Sequence, residues 1–174
     1  MNYSHLVLST GLLAIGALVL GIAGTVRADD DHEGSKCAAF EGPFSSLTGP
    51  PCTSPIGLCT HGQLGGDFPA KYDFTFATLT FANDFSDPTK FVYTGQSVVT
   101  PNDGSGVLYT ADTGVIHIPT DNSPAPFVTK AIVDHGTKKY RHTSGGFVAT
   151  GFLVFQTGEA KGQFSAVLCK NHDD

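Results

Sequence analysis

From residue 37 onward the chain is a succession of short runs rich in Thr, Val and Phe, stopped repeatedly by Gly, Pro, Asn and Asp. No stretch places apolar residues at the 3.6-residue spacing of an amphipathic helix, and runs of this composition read as strands. We count eight: 37–47, 65–81, 90–99, 105–111, 114–119, 127–133, 145–156 and 159–169. Turn signals separate them, among them Pro101-Asn102-Asp103-Gly104, Asp112-Thr113-Gly114, Asp121-Asn122-Ser123-Pro124 and Thr157-Gly158. Asn or Asp before Gly supplies the positive φ angles of tight hairpins. Links this short join antiparallel neighbours.

Alternation within the runs sharpens the expectation. Tyr72, Phe74 and Phe76 share one face; Ala77, Leu79 and Phe81 then continue with the opposite parity. A β-bulge near Phe76-Ala77 produces such a switch where a strand bends. In the seventh run Phe147, Ala149 and Leu153 are apolar on one face and Val148, Phe152 and Val154 on the other. A strand apolar on both faces is covered on both sides. Eight antiparallel strands with this spacing fit a closed barrel better than a sandwich, so the fold expected is an all-β, eight-stranded antiparallel barrel, whose closure removes the edges that invite aggregation. One face of the seventh strand then lines the lumen. The other calls for a partner, and a homo-oligomer, dimer or trimer, is expected through it. A lumen of eight strands is just wide enough to be filled by side chains or to hold one small ligand.

The first 28 residues read as an address. Residues 6–23 are apolar apart from Ser, Thr and Gly, and Val26-Arg27-Ala28 places small residues where signal peptidase cuts. An uncleaved anchor is the rival reading, since about 18 apolar residues just span a bilayer. The domain reading is a cleaved leader over 1–28, an acidic tail over 29–36, one barrel domain over 37–170 and a short tail over 171–174. The location expected is secreted, extracellular or periplasmic, with no stable membrane insertion after cleavage. The formal net charge of −6 is concentrated at the ends, in Asp29, Asp30, Asp31, Glu33, Asp173 and Asp174. The body is close to neutral, which argues against nucleic acid as a partner, because phosphate binding needs a basic face.

All four cysteines, Cys37, Cys52, Cys59 and Cys169, follow the leader. In an exported chain an even count reads as disulfides, and three pairings are open. First and last strands are neighbours in a closed barrel, which favours Cys52–Cys59 with Cys37–Cys169. No CxxC cluster suggests a metal site, and the acidic segment with His32 has nothing to fix its geometry. Neither metal nor cofactor is expected. Nucleophile elbow, Walker loop and HExxH are absent, which disfavours hydrolase and nucleotide chemistry.

The segment Gly136-Thr137-Lys138-Lys139-Tyr140-Arg141-His142-Thr143-Ser144-Gly145 resembles the G-T-G-K-Y-R-G-A-T-G motif of the dirigent proteins and of the allene oxide cyclase barrel group. There too it follows an Ile-Val strand end and precedes the penultimate strand. The run from Ser54 to Thr60, Tyr93-Thr94-Gly95 with Asp103-Gly104 after it, Asp112-Thr113-Gly114 and the terminal Leu168-Cys169 are similar to secreted members of the group. Loosely taken, the resemblance covers residues 37–169. It implies a calycin-type barrel of eight antiparallel strands, often trimeric, that steers cyclisation or coupling of small hydrophobic molecules without cofactor. Two motif glycines are replaced, by Lys138 and His142, so the turn is expected to reach positive φ there only at a cost.

Such a lumen catalyses by folding a flexible substrate into one reactive conformer, and well-oriented intramolecular reactions gain roughly 7–11 kcal/mol. A buried Glu, Tyr or Lys then stabilises developing charge. Glu41, between Phe40 and Phe44, is the catalytic candidate. Tyr72, Tyr93, Tyr109, His117, Lys130 and Arg141 are ligand-binding candidates, Arg141 belonging to a compact basic loop with Lys138, Lys139 and His142. The function expected is binding of a small hydrophobic molecule, with cofactor-free cyclisation or isomerisation. The alternatives are a non-catalytic carrier and a structural or interaction module whose lumen is packed shut.

Overall fold

The computed structural model describes residues 36–82 and 87–170. The expected leader, nearly all of the acidic segment and the tail at 171–174 lie outside the described residues. Eight strands close into an antiparallel barrel in chain order, each bonded to the next and β8 to β1. They are β1 Lys36–Thr48, β2 Cys59–Leu64, β3 Ala70–Phe81, β4 Lys90–Pro101, β5 Leu108–His117, β6 Ala125–Gly136, β7 Thr143–Val154 and β8 Glu159–Lys170. One 3-10 turn, Lys138–Tyr140, interrupts the β6–β7 connection.

The barrel expected from the alternation is therefore the fold, although two of the eight runs are drawn differently. β2 was no separate run in the sequence, because CTHGQL lacks apolar alternation. Gly62 is needed there: a Cβ would lie 2.5 Å from Tyr72 Cε1, whose ring crosses the strand. Conversely, runs 105–111 and 114–119 are a single strand, β5. Asp112-Thr113-Gly114 is not a turn. Asp112 points into the lumen, and a Cβ on Gly114 would lie 2.2 Å from Tyr93 Cζ. The β3–β4 register shifts between Phe76 and Thr78, at the bulge anticipated from the parity switch.

Cys37 bonds Cys169 across the β1–β8 seam, and Cys52 bonds Cys59 at the start of β2. Both pairings are those the barrel topology favoured, and two disulfides fit an oxidising compartment. No helix among the described residues is long and apolar enough to cross a membrane.

The lumen has a packed end and a roomy end. At the packed end the β2–β3 loop folds Phe68 inward, where it meets Phe40, Tyr140 and Phe147 at ring-centroid distances of 5.2 to 6.2 Å. Leu108, Val133 and Leu168 complete that core. Phe74, Tyr93, Ile116 and Ala125 form a second cluster toward the other end. The basic turn lies at the packed end. Lys138 and His142 stand there in left-handed backbone, φ 51° and 61°, in spite of their side chains.

Candidate functional site

Toward the roomy end the lumen holds a cavity of about 370 Å³, walled by residues of both clusters. Its walls are the inward faces of the strands: Phe44, Leu64, Phe74, Phe76, Leu79, Val99, Ile116, Phe127, Leu153 and Phe164 supply apolar surface. It reaches the β1–β2, β5–β6 and β7–β8 connections at Leu58, Ile118 and Phe155, and Phe155 is half exposed.

Polar groups punctuate this wall at few points. Alternation along β4 and β5 turns Tyr93, Gly95 and Ser97 inward opposite Gly114, Asp112 and Thr110. Asp112 is 3% exposed. Ser97 Oγ donates to its Oδ2, and Thr110 Oγ1 donates to its Oδ1 at 2.5 Å. Burial pushes the Asp112 pKa up, and the two hydroxyl donors partly oppose that shift. Its cross-strand partner, Gly95, carries no side chain, and the Phe74 ring lies over that gap. Phe74, Phe76 and Tyr93 meet one another beside it, with centroids 4.4 to 6.0 Å apart. Tyr93 Oη and Thr129 Oγ1 share a hydrogen bond of 2.5 Å. Burial pushes both Tyr72 and Tyr93 up to about 12, so both are neutral phenols at physiological pH. No buried side-chain nitrogen or oxygen among the described residues lacks a partner.

Asp112 is the single carboxylate among the described lining residues, and that lining contains no Lys, Arg or His. The arrangement can seat an apolar body against aromatic walls and aim one acid at its polar end. Among the described residues no three His, Cys, Asp or Glu come together as metal ligands.

The sequence candidates divide sharply. Tyr72 and Tyr93 line the cavity. Glu41 does not: inward positions on β1 are Phe40, Gly42 and Phe44, so Glu41 faces outward, exposed, its backbone N–H toward Asp67 Oδ2. As a lumen acid it is replaced by Asp112. Tyr109 is also outward and stacks on His135 at 4.4 Å. His117 faces outward and pairs with Asp87 at 3.1 Å. Lys130 is exposed on β6, and Arg141 is exposed in the basic turn. None of these five reaches the lumen. Asp112, Ser97, Thr110 and Thr129 were missed. The signal available was parity alone, which puts Asp112 on the same strand face as Leu108 and Ile116, and it was masked by the turn-like Asp-Thr-Gly.

No known protein family, no curated protein and no solved structure matches this chain.

Proposed function

We propose that the protein is a secreted barrel, allene oxide cyclase-like or dirigent-like in kind, that binds a small hydrophobic molecule in its lumen. The observation that supports this most is the 370 Å³ cavity with apolar and aromatic walls and a polar cluster around Asp112. That volume and make-up are those of small-molecule sites. A lumen meant only as core would be packed like the end around Phe68. The test is titration with the neutral fluorophore N-phenyl-1-naphthylamine. Saturable binding of one probe per barrel is expected, weakened at least about 10-fold by Ala149→Phe, which fills the cavity. Absence of saturable binding to the native barrel would sink the reading.

One observation favours a step beyond carriage. Asp112 stands in the wall of a space that would hold a flexible ligand in one conformer, so cofactor-free isomerisation or cyclisation is the second reading. On that reading Asp112→Asn abolishes turnover of a co-purified ligand even at concentrations that saturate the variant.

The partner is a second copy of this chain. Val128, Ile132, Val148, Phe152 and Val167 are 43 to 57% exposed on the outer wall of β6, β7 and β8. A groove there runs from Lys130 past Ile132, Val148 and Val167 to Glu41 and Asp67. A two-fold arrangement lays the apolar stripe on its counterpart and sets Lys130 against the acids of the other copy. Sedimentation is expected to give an assembly that Val148→Asp reduces to monomer; a native monomer would remove the proposal.

A further inference from the structure

We propose that the lumen selects ligands whose polar end is a protonated amine, held by Asp112. The inference rests on the ligand-binding reading above and specifies the ligand's headgroup.

Asp112 has hydroxyl donors on both oxygens, from Ser97 and Thr110, an arrangement that serves a carboxylate. Each oxygen keeps a further lone pair for a ligand donor. The charge has no positive counterpart, because the described lining holds no Lys, Arg or His. A buried carboxylate without a cation is unfavourable, and burial itself is what pushes its pKa up. A ligand ammonium would supply the missing charge and form a charge-assisted hydrogen bond, the strong kind in a space with little water. The walls suit it. The rings of Phe74 and Tyr93 flank Asp112, one over Gly95 and the other over Gly114, and aromatic faces attract ammonium groups. The rest of the cavity suits the hydrocarbon body. A ligand carboxylate would bring a second negative charge into the same space and is disfavoured.

Calorimetric titration at pH 7 with n-octylamine, 1-octanol and octanoate tests this, because the three share one chain and differ only in headgroup. Octylamine is expected to bind at least about 10-fold tighter than octanoate, the size of one charge-assisted hydrogen bond. Asp112→Asn should abolish the preference for octylamine over octanol. Octanoate binding as tightly as octylamine, or an amine preference that survives in Asp112→Asn, would overturn the inference. Where that variant does not fold, the amine-to-octanoate ratio of the native protein decides alone. Octanol that binds without any amine preference defeats the headgroup and spares the lumen reading. Failure of all three ligands to bind defeats both.

Discussion

The two ends of this barrel share one wall and differ in what fills them. At the packed end a loop turns Phe68 into the lumen, and the rings of Phe40, Tyr140 and Phe147 close around it. At the roomy end the inward residues are as apolar, but among the described residues no connection sends a ring inward as Phe68 does at the other end, and the cavity remains. Each end has its own disulfide. Cys37–Cys169 seals the first and last strands at the packed end, its cysteines 132 positions apart in the chain. Cys52–Cys59, seven residues apart, fastens a loop to β2 at the roomy end. One end therefore holds the barrel shut, and the other keeps space within it.

The disulfides give the largest expected contrast. Loop-closure entropy assigns about 5 kcal/mol to the long loop and about 2.4 to the short one. Replacing Cys37 and Cys169 by Ser should thus lower the chemical denaturation midpoint about twice as far as replacing Cys52 and Cys59. Equal losses would remove the division of labour. Side chains extend the test. Phe68→Ala should cost about 4 kcal/mol, because its neighbours surround it and cannot collapse into the space. Phe76→Ala should cost only about 2 kcal/mol, since that ring already borders a void. If both cost the same in urea unfolding, the cavity is not empty space in solution.

How far the sequence announced these two ends follows from what each depends on. The wall was legible, because period-two alternation survives in β3 and β8, β7 is apolar on both faces as a covered strand is, and even the bulge after Phe76 left a parity switch. The plug was not. Phe68 lies in a loop, where alternation has no meaning and only the tertiary fold turns the ring inward. The polar cluster was hidden for another reason. Asp112 and Gly114 are there for a lumen acid and for the passage of Tyr93, but Asp-Thr-Gly spells a turn. Glu41 misled by its neighbours. Phe40 and Phe44 are both inward, and strand parity puts Glu41 on the opposite face, a parity that the apolar neighbours obscured. Strand faces can be read from sequence, whereas the choice between lumen and solvent for a single polar residue depends on barrel closure.

The smallest expected effect is a pH dependence confined to the roomy end. His61, outward on β2, places Nδ1 2.6 Å from Asp73 Oδ1 and Nε2 2.9 Å from the Pro51 carbonyl, with the Gly49 carbonyl at 3.2 Å. Every partner is an acceptor, so only the imidazolium can donate on both sides; the neutral ring loses one. The Asp73 hydrogen bond leads in raising its pKa above 6.5, with the Pro51 carbonyl adding to it. A raised folded pKa means that the stabilisation is complete below 6.5 and is lost as pH rises through the folded value. Those carbonyls belong to the loop that carries Cys52 and ends at Leu58 on the cavity wall. Hydrogen exchange of residues 49–58 should therefore quicken between pH 6 and pH 8 beyond its intrinsic rise, while residues 137–142 at the packed end should show no such excess. His61→Gln should remove the excess. The same excess at both ends would mean that the barrel loosens as a whole, and the contrast between its ends would not extend to their motion.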